Sequence, residues 1–167
     1  MLMKHGMSLS KYLLTPLFLL VIFTSSASYA KKAAIVIDFD TKEVLFEVNA
    51  NTKNYPASLT KIMTLYILFD RLEKKQITNQ TKLKVSRIAA SRSPSKLYLE
   101  EGSTIKVEDA IMALIIKSAN DVATVVAENI SGTEKDFAKL MTSYARNLGM
   151  TSTTFKNASG LPNRAQL

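Results

Sequence analysis

Two short apolar runs open the part of the chain whose pattern is that of a folded domain. "AAIVIDF" from Ala33 and "EVLFEVN" from Glu43 are rich in β-branched and aromatic residues and are joined by "DTK", which predicts a β-hairpin. After Pro56 the period lengthens: Ile62, Leu65, Tyr66, Phe69 and Leu72 recur every three or four residues, predicting a helix that ends near "EKKQI". "KVEDAIMALII" and "DVATVVAENI" predict two short helices interrupted at "KSAN", the second stopping at "SG". Thr133 or Ser131 can cap a last helix through "EKDFAKLMTSYARNL", with Gly149 as its terminator. No repeat or low-complexity segment interrupts this order. A sheet edge followed by a helical cluster predicts an α/β or α+β architecture.

Upstream of the hairpin the pattern changes. Residues 1–30 contain Lys4 and Lys11 but no acidic residue, then the apolar stretch "LLTPLFLLVIF", then the small-residue exit "SSASYA". This predicts a secretory signal peptide over residues 1–30, cleaved after Ala30, with residues 31–167 as the mature domain. An uncleaved membrane anchor is the alternative, but the apolar run is about half the ~20 residues a spanning helix needs. Either way the domain is expected outside the cytoplasm, in the periplasm or cell envelope.

Losing residues 1–30 narrows the chemistry. The only histidine of the 167-residue chain, His5, goes with them, and there is no cysteine. A Ser-His-Asp triad, a cysteine nucleophile and a zinc site of His or Cys ligands are excluded from the mature domain. No metal or other cofactor is expected. An oxidising compartment can give this domain no disulfide. Two of the 22 basic residues and none of the 14 acidic ones leave with the leader, so net charge falls from +8 to +6. The excess is spread along the chain, without the concentrated basic face that nucleic acid requires.

Within the mature domain, "YPASLTKIMT" places Ser58 three residues before Lys61 where the long helix begins. Ser-x-x-Lys alone says little, since the chain contains it at Ser8, Ser28, Ser58, Ser93 and Ser103. Only Ser58 stands at the start of a long apolar helix. There the spacing sets the two side chains on one face, about 5–6 Å apart at Cβ, beside backbone N–H groups that can support a developing oxyanion. The plainer reading has Ser58 capping the helix and Lys61 solvated in its first turn. On this stretch alone the plainer reading has the edge.

A second constellation shifts the balance. "KSAND" puts Ser118 and Asn120 in the break between two helices, the only Ser-x-Asn in the chain. Its plainer reading is a capping serine and a turn asparagine. Together the two motifs describe a serine with a lysine beside it and a second serine and amide on an opposing wall. With histidine and cysteine gone, lysine is the remaining way to activate a serine.

These motifs, with "AAIVIDFDTKEVLFEVNA", "SKLYLEEGSTIKVEDAIMALIIKSANDVA" and "LGMTSTTFKNASGL", resemble the low-molecular-mass penicillin-binding proteins, the serine-type D-alanyl-D-alanine carboxypeptidases. The resemblance covers nearly all of residues 31–167. It implies a β-lactamase/DD-peptidase-like transpeptidase fold. It also implies Ser58 as the acylated nucleophile, Lys61 as proton acceptor, Ser118 as proton relay to the leaving D-alanine, and Asn120 holding the substrate amide or orienting Lys61. Peptidoglycan stem peptides become the expected substrates and β-lactams the expected covalent inhibitors. The family's association with the outer face of the cytoplasmic membrane is an implied partner. Ala119 stands where the family often has glycine, with little consequence expected.

One departure is large. The family's third motif, Lys-Thr-Gly or a close variant on a strand lining the cleft, is absent from these residues, and the expectation is a chain carrying only the N-terminal part of the catalytic domain. On that resemblance the missing lysine binds the substrate carboxylate and helps depress the Lys61 pKa. The missing strand also supplies one of two oxyanion donors, a loss of about 10²- to 10³-fold in rate. The hairpin is then expected to present an unpaired apolar edge, and the chain alone to be weakly active or inactive. Two other readings remain: a remnant or envelope-binding fragment without catalysis, and a serine β-lactamase. The latter needs a deacylating glutamate that neither Glu128 nor Glu134 matches convincingly.

Overall fold

A computed structural model of the chain describes residues 32–166. The expected leader peptide and its cleavage site lie outside them. Strands β1 (Ala34–Ile37) and β2 (Val44–Val48) form the predicted antiparallel hairpin, with Ala34 opposite Val48, Val36 opposite Phe46 and a register irregularity at Val36/Ile37. The Asp38 carboxylate ties the turn by accepting from the Thr41 backbone N–H at 2.7 Å and the Thr41 hydroxyl at 2.9 Å. Those bonds hold its carboxyl below the usual range. Every residue of both strands is exposed.

The helical body is the opposite case. Helix α1 (Thr60–Glu73) follows a 3₁₀ turn at Ala57–Leu59. A short antiparallel pair, β3 (Lys82–Lys84) and β4 (Thr104–Lys106), brackets the four-residue helix α2 (Arg87–Ala90). The chain continues into α3 (Val107–Met112), a π-helical segment Ala113–Lys117, α4 (Asn120–Ser131) and α5 (Glu134–Asn147). Thr133, rather than Ser131, caps α5, its Oγ1 accepting from the Asp136 N–H at 3.0 Å. Gly149, at φ +81°, follows its last turn.

Helix α4 is the axis of this body. Its residues 120–127 are all buried, and Val122, Val125 and Val126 pack with Ile67 and Leu68 of α1 and Phe137 and Met141 of α5. Helix α1 departs from expectation in which stripe it buries. Met63, Thr64, Ile67 and Leu68 face the core; of the stripe that periodicity selects, Leu65 and Leu72 are partly buried against it, whereas Ile62, Tyr66 and Phe69 are 64%, 47% and 47% exposed. The helix is apolar on two sides, and only one meets α4 and α5. Its outer stripe borders an open groove of about 890 Å³ between residues 50–56 and the segment after α5. Among the described residues no helix is long and apolar enough to cross a membrane.

Candidate active site

Ser58 lies in the 3₁₀ turn that feeds α1, and its side chain is exposed. It caps nothing: the residue at the α1 N-cap is Leu59, without a side-chain bond, and the Ser58 hydroxyl makes no hydrogen bond among the described residues. The turn is held by the Leu59 N–H donating to Pro56 O at 3.0 Å, with Ala57 at φ +47°. Lys61 is not solvated either. It is 3% exposed and donates from Nζ to the Ser159 carbonyl at 2.8 Å. Burial pushes its pKa down to about 8, because a low-dielectric surrounding disfavours the ammonium. Both plainer readings of this turn therefore fail on geometry.

Of the other Ser-x-x-Lys pairs, two fall among the described residues, Ser93 with Lys96 and Ser103 with Lys106, and neither lysine is buried. Lys96 donates to the Ala90 carbonyl at 3.0 Å, and Lys106 pairs with Glu108 at 3.3 Å.

Ser118 and Asn120 sit at a break of unusual backbone. The π-helical segment delivers Ser118 in the left-handed region, φ 55°, ψ 41°, and Ala119 then turns extended before α4 begins at Asn120. A non-glycine residue there is uncommon, and such outliers cluster at functional sites; π-segments do likewise. Ser118 is half-buried and stands at the C-cap of the π-helical segment, its backbone N–H donating to Ala113 O, while the N-cap of α4 is Ala119. Asn120 is buried; its N–H donates to Ser95 O at 2.7 Å and its Nδ2 to Pro94 O. Ala119, at φ −67°, needs no glycine, in line with the small consequence expected. Directly behind, the buried Asp121 carboxylate accepts from the Leu97 N–H at 3.0 Å and the Leu99 N–H at 3.3 Å, which fixes residues 94–99 against α4. No hydrogen bond joins Ser58, Lys61, Ser118 and Asn120 to one another. In an unliganded site such bonds are often long and tighten only with substrate.

The sequence reading assigned no role to residues 157–160, "NASG", which close over the start of α1. Asn157 Oδ1 accepts from the Gly160 N–H at 2.7 Å and the Ser159 N–H at 3.2 Å, bracing the turn internally. Thr64 Oγ1 donates to Ala158 O at 2.7 Å, and Glu134 Oε1 accepts from the Ala158 N–H at 3.1 Å. Gly160, at φ +85°, lies so close to the 3₁₀ turn that a Cβ would fall 1.7 Å from the Ala57 carbonyl oxygen. The composition of the stretch signals a turn, but the lysine it seats is 98 residues away. A hollow of about 370 Å³ beside the same turn is lined by Tyr55, Ala57 and residues 160–164 and 166. The larger groove touches none of the four candidate residues.

Comparison with known proteins decides the family. The D-alanyl-D-alanine carboxypeptidase family model, peptidase S11, matches residues 21–167. The chain belongs to this family. Its curated relatives include D-alanyl-D-alanine carboxypeptidase DacF of Bacillus subtilis, 39% identical over 138 residues, covering 83% of this chain and 36% of that one. The DacC enzyme of Escherichia coli is 37% identical over 136 residues, 78% of this chain and 34% of that one. Among solved structures, the DacD carboxypeptidase of Francisella tularensis superposes with a TM-score of 0.78 at 35% identity over 80% of this chain and 32% of that one. Penicillin binding protein 5 of Haemophilus influenzae gives 0.77 at 29% identity over 82% and 40%. The transpeptidase fold expected from the sequence is thus the fold observed, with two small two-stranded sheets among the described residues. The chain spans about a third of the length of the curated carboxypeptidases it matches.

Proposed function

We propose that the chain carries the nucleophile half of a serine D-alanyl-D-alanine carboxypeptidase site. The observation behind this is the pairing of an exposed Ser58, unbonded among the described residues, with Lys61 one helical turn on, buried and with its pKa brought down to about 8. A lysine so placed has a substantial neutral fraction near physiological pH, which is what a general base needs.

The chemistry is acyl transfer in two steps. Ser58 Oγ attacks the carbonyl between the two terminal D-alanines of a peptidoglycan stem peptide as its proton passes to Lys61 Nζ. The tetrahedral adduct collapses, the C–N bond breaks, and the leaving D-alanine takes a proton through Ser118. Asn120, fixed by Pro94 and Ser95, holds the substrate amide on the opposite wall. Water then cleaves the ester, and a β-lactam forms the same ester and leaves slowly. Glu134 does not suit a β-lactamase's deacylating role, because its carboxylate is occupied by Arg92, Thr124 and the Ala158 N–H. The protein works outside the cytoplasm, at the peptidoglycan next to the membrane. Without a Lys-Thr-Gly strand in these 167 residues, acylation is about 10²- to 10³-fold below that of a complete site.

Incubating the chain with a fluorescent penicillin tests this. Slow covalent labelling that disappears in Ser58→Ala supports the reading. Labelling that survives in Ser58→Ala, or none in a folded wild-type chain at high penicillin concentration, overturns it.

A further inference from the structure

The seat of Lys61 depends on contacts made well away from Ser58. Its Nζ bonds a main-chain carbonyl, that of Ser159, so its position depends on where residues 157–160 lie. The neighbouring residue, Ala158, is gripped at both polar backbone atoms by side chains. Thr64, fully buried on the second turn of α1, takes the carbonyl at 2.7 Å; Glu134, at the first turn of α5, takes the N–H at 3.1 Å. Glu134 is itself fixed, since its other oxygen meets Arg92 and its Oε1 also accepts from Thr124 Oγ1 at 3.3 Å, while Arg92 Nε donates to Thr124 at 3.1 Å.

We infer that Glu134 and Thr64 are positioning residues for Lys61, acting through residues 157–160 to hold the Ser159 carbonyl against its ammonium and to keep water from it. The inference rests on the reading of Lys61 as the base. A bond between a lysine and a neutral carbonyl carries no ion-pair attraction, so its strength follows from geometry and dryness. If residues 157–160 swing away, Nζ regains water and behaves as an ordinary lysine. The charged groups on the surrounding elements do not offset this. Among the described residues none forms an ion pair with Lys61: Glu134 is neutralised by Arg92, Asp121 is taken up by the Leu97 and Leu99 N–H groups, Asp70 lies nine residues along α1 on Lys74, and Lys156 is exposed.

The test is the titration of Lys61 itself, followed in the full chain by ¹³C NMR of its Cε and assigned with Lys61→Met. Wild type is expected to titrate near pH 8. Glu134→Ala releases the Ala158 N–H and is expected to raise the midpoint by at least one unit toward the ordinary ~10.4, a tenfold change in proton affinity. Glu134→Gln keeps an acceptor oxygen but removes the negative charge. It is expected to stay at or below the wild-type value, which separates seating from simple electrostatics. Thr64→Val raises the midpoint and Thr64→Ser restores it, so the question survives a Glu134→Ala chain that fails to fold. A folded Glu134→Ala or Thr64→Val chain titrating with wild type overturns the inference, as does a rise in Glu134→Gln equal to that in Glu134→Ala. Penicillin labelling run in parallel keeps the two claims apart: wild type that titrates as expected but never labels removes the catalytic reading, not the positioning one.

Discussion

The hairpin and the helical body are built from equally apolar residues and end in opposite states. Val36, Leu45 and Phe46 on the hairpin are about half exposed, while Val125, Phe137 and Ile67 in the body are 0% exposed. The two are joined by residues 49–56, which with the exposed stripe of α1 border the open groove. Pattern alone therefore does not tell where the energy lies. A strand pair satisfies its inner backbone bonds but buries no side chain until something packs on it. Helices α1, α4 and α5 cover one another.

Truncation at matched phenylalanines separates the regions most sharply. Phe137→Ala is expected to cost about 3–5 kcal/mol through lost burial and a cavity, whereas Phe46→Ala, opposite Val36 in the exposed hairpin, costs no more than about 1 kcal/mol. Urea unfolding measures both, and equal losses would mean the hairpin is covered in solution.

A smaller effect is expected where the body reaches the 3₁₀ turn at Ala57–Leu59. Gly160→Ala meets left-handed strain of about 1–2 kcal/mol and must also displace the Ala57 carbonyl. Gly132→Ala carries the strain alone, since Gly132 sits at φ +77° with nothing within 4 Å of its Cβ position. The difference in unfolding free energy between the two variants isolates the close approach. No difference would show that residues 157–160 do not rest on the turn.

Last comes pH, which reads the buried lysine directly. With Lys61 near 8, its neutral fraction is about one tenth at pH 7 and about nine tenths at pH 9, so penicillin acylation of Ser58 is expected to rise close to tenfold. A flat profile would rule Lys61 out as the base. The stability effect has a definite sign. The unfolded chain holds this proton up to ~10.4 and the folded one only to about 8, so between those values the unfolded state binds more protons. The unfavourable contribution is therefore complete below pH 8 and disappears as pH rises through that window.

Much of this was legible in the sequence, for reasons that also explain the failures. The hairpin, α1, α4 and the Thr133-capped α5 follow from local periodicity and turn chemistry, which are properties of neighbouring residues. The β3–β4 pair went unread because each strand has three residues, too few for alternation to show. On α1 the predicted stripe is half right: Leu65 and Leu72 pack on the core, but Met63, Ile67 and Leu68 compete with Ile62, Tyr66 and Phe69, and only α4 and α5 decide between them. Ser58, Lys61, Ser118 and Asn120 stood out by motif. What the motif could not give was the Ser159 carbonyl, a group every residue possesses and no sequence marks.

The seat of Lys61 also fixes an order of events during synthesis. Its partner lies 98 residues downstream, and the bonds from Thr64 to Ala158 and from Gln166 to Thr60 span 94 and 106. A ribosome adding roughly 5–20 residues per second finishes α1 and then runs for roughly 5–20 s before the segment that seats the lysine exists. During that interval the newborn chain holds Ser58 and Lys61 at the start of α1 without the carbonyl that seats the lysine. The dry seat of Lys61 comes with the late arrival of residues 157–160.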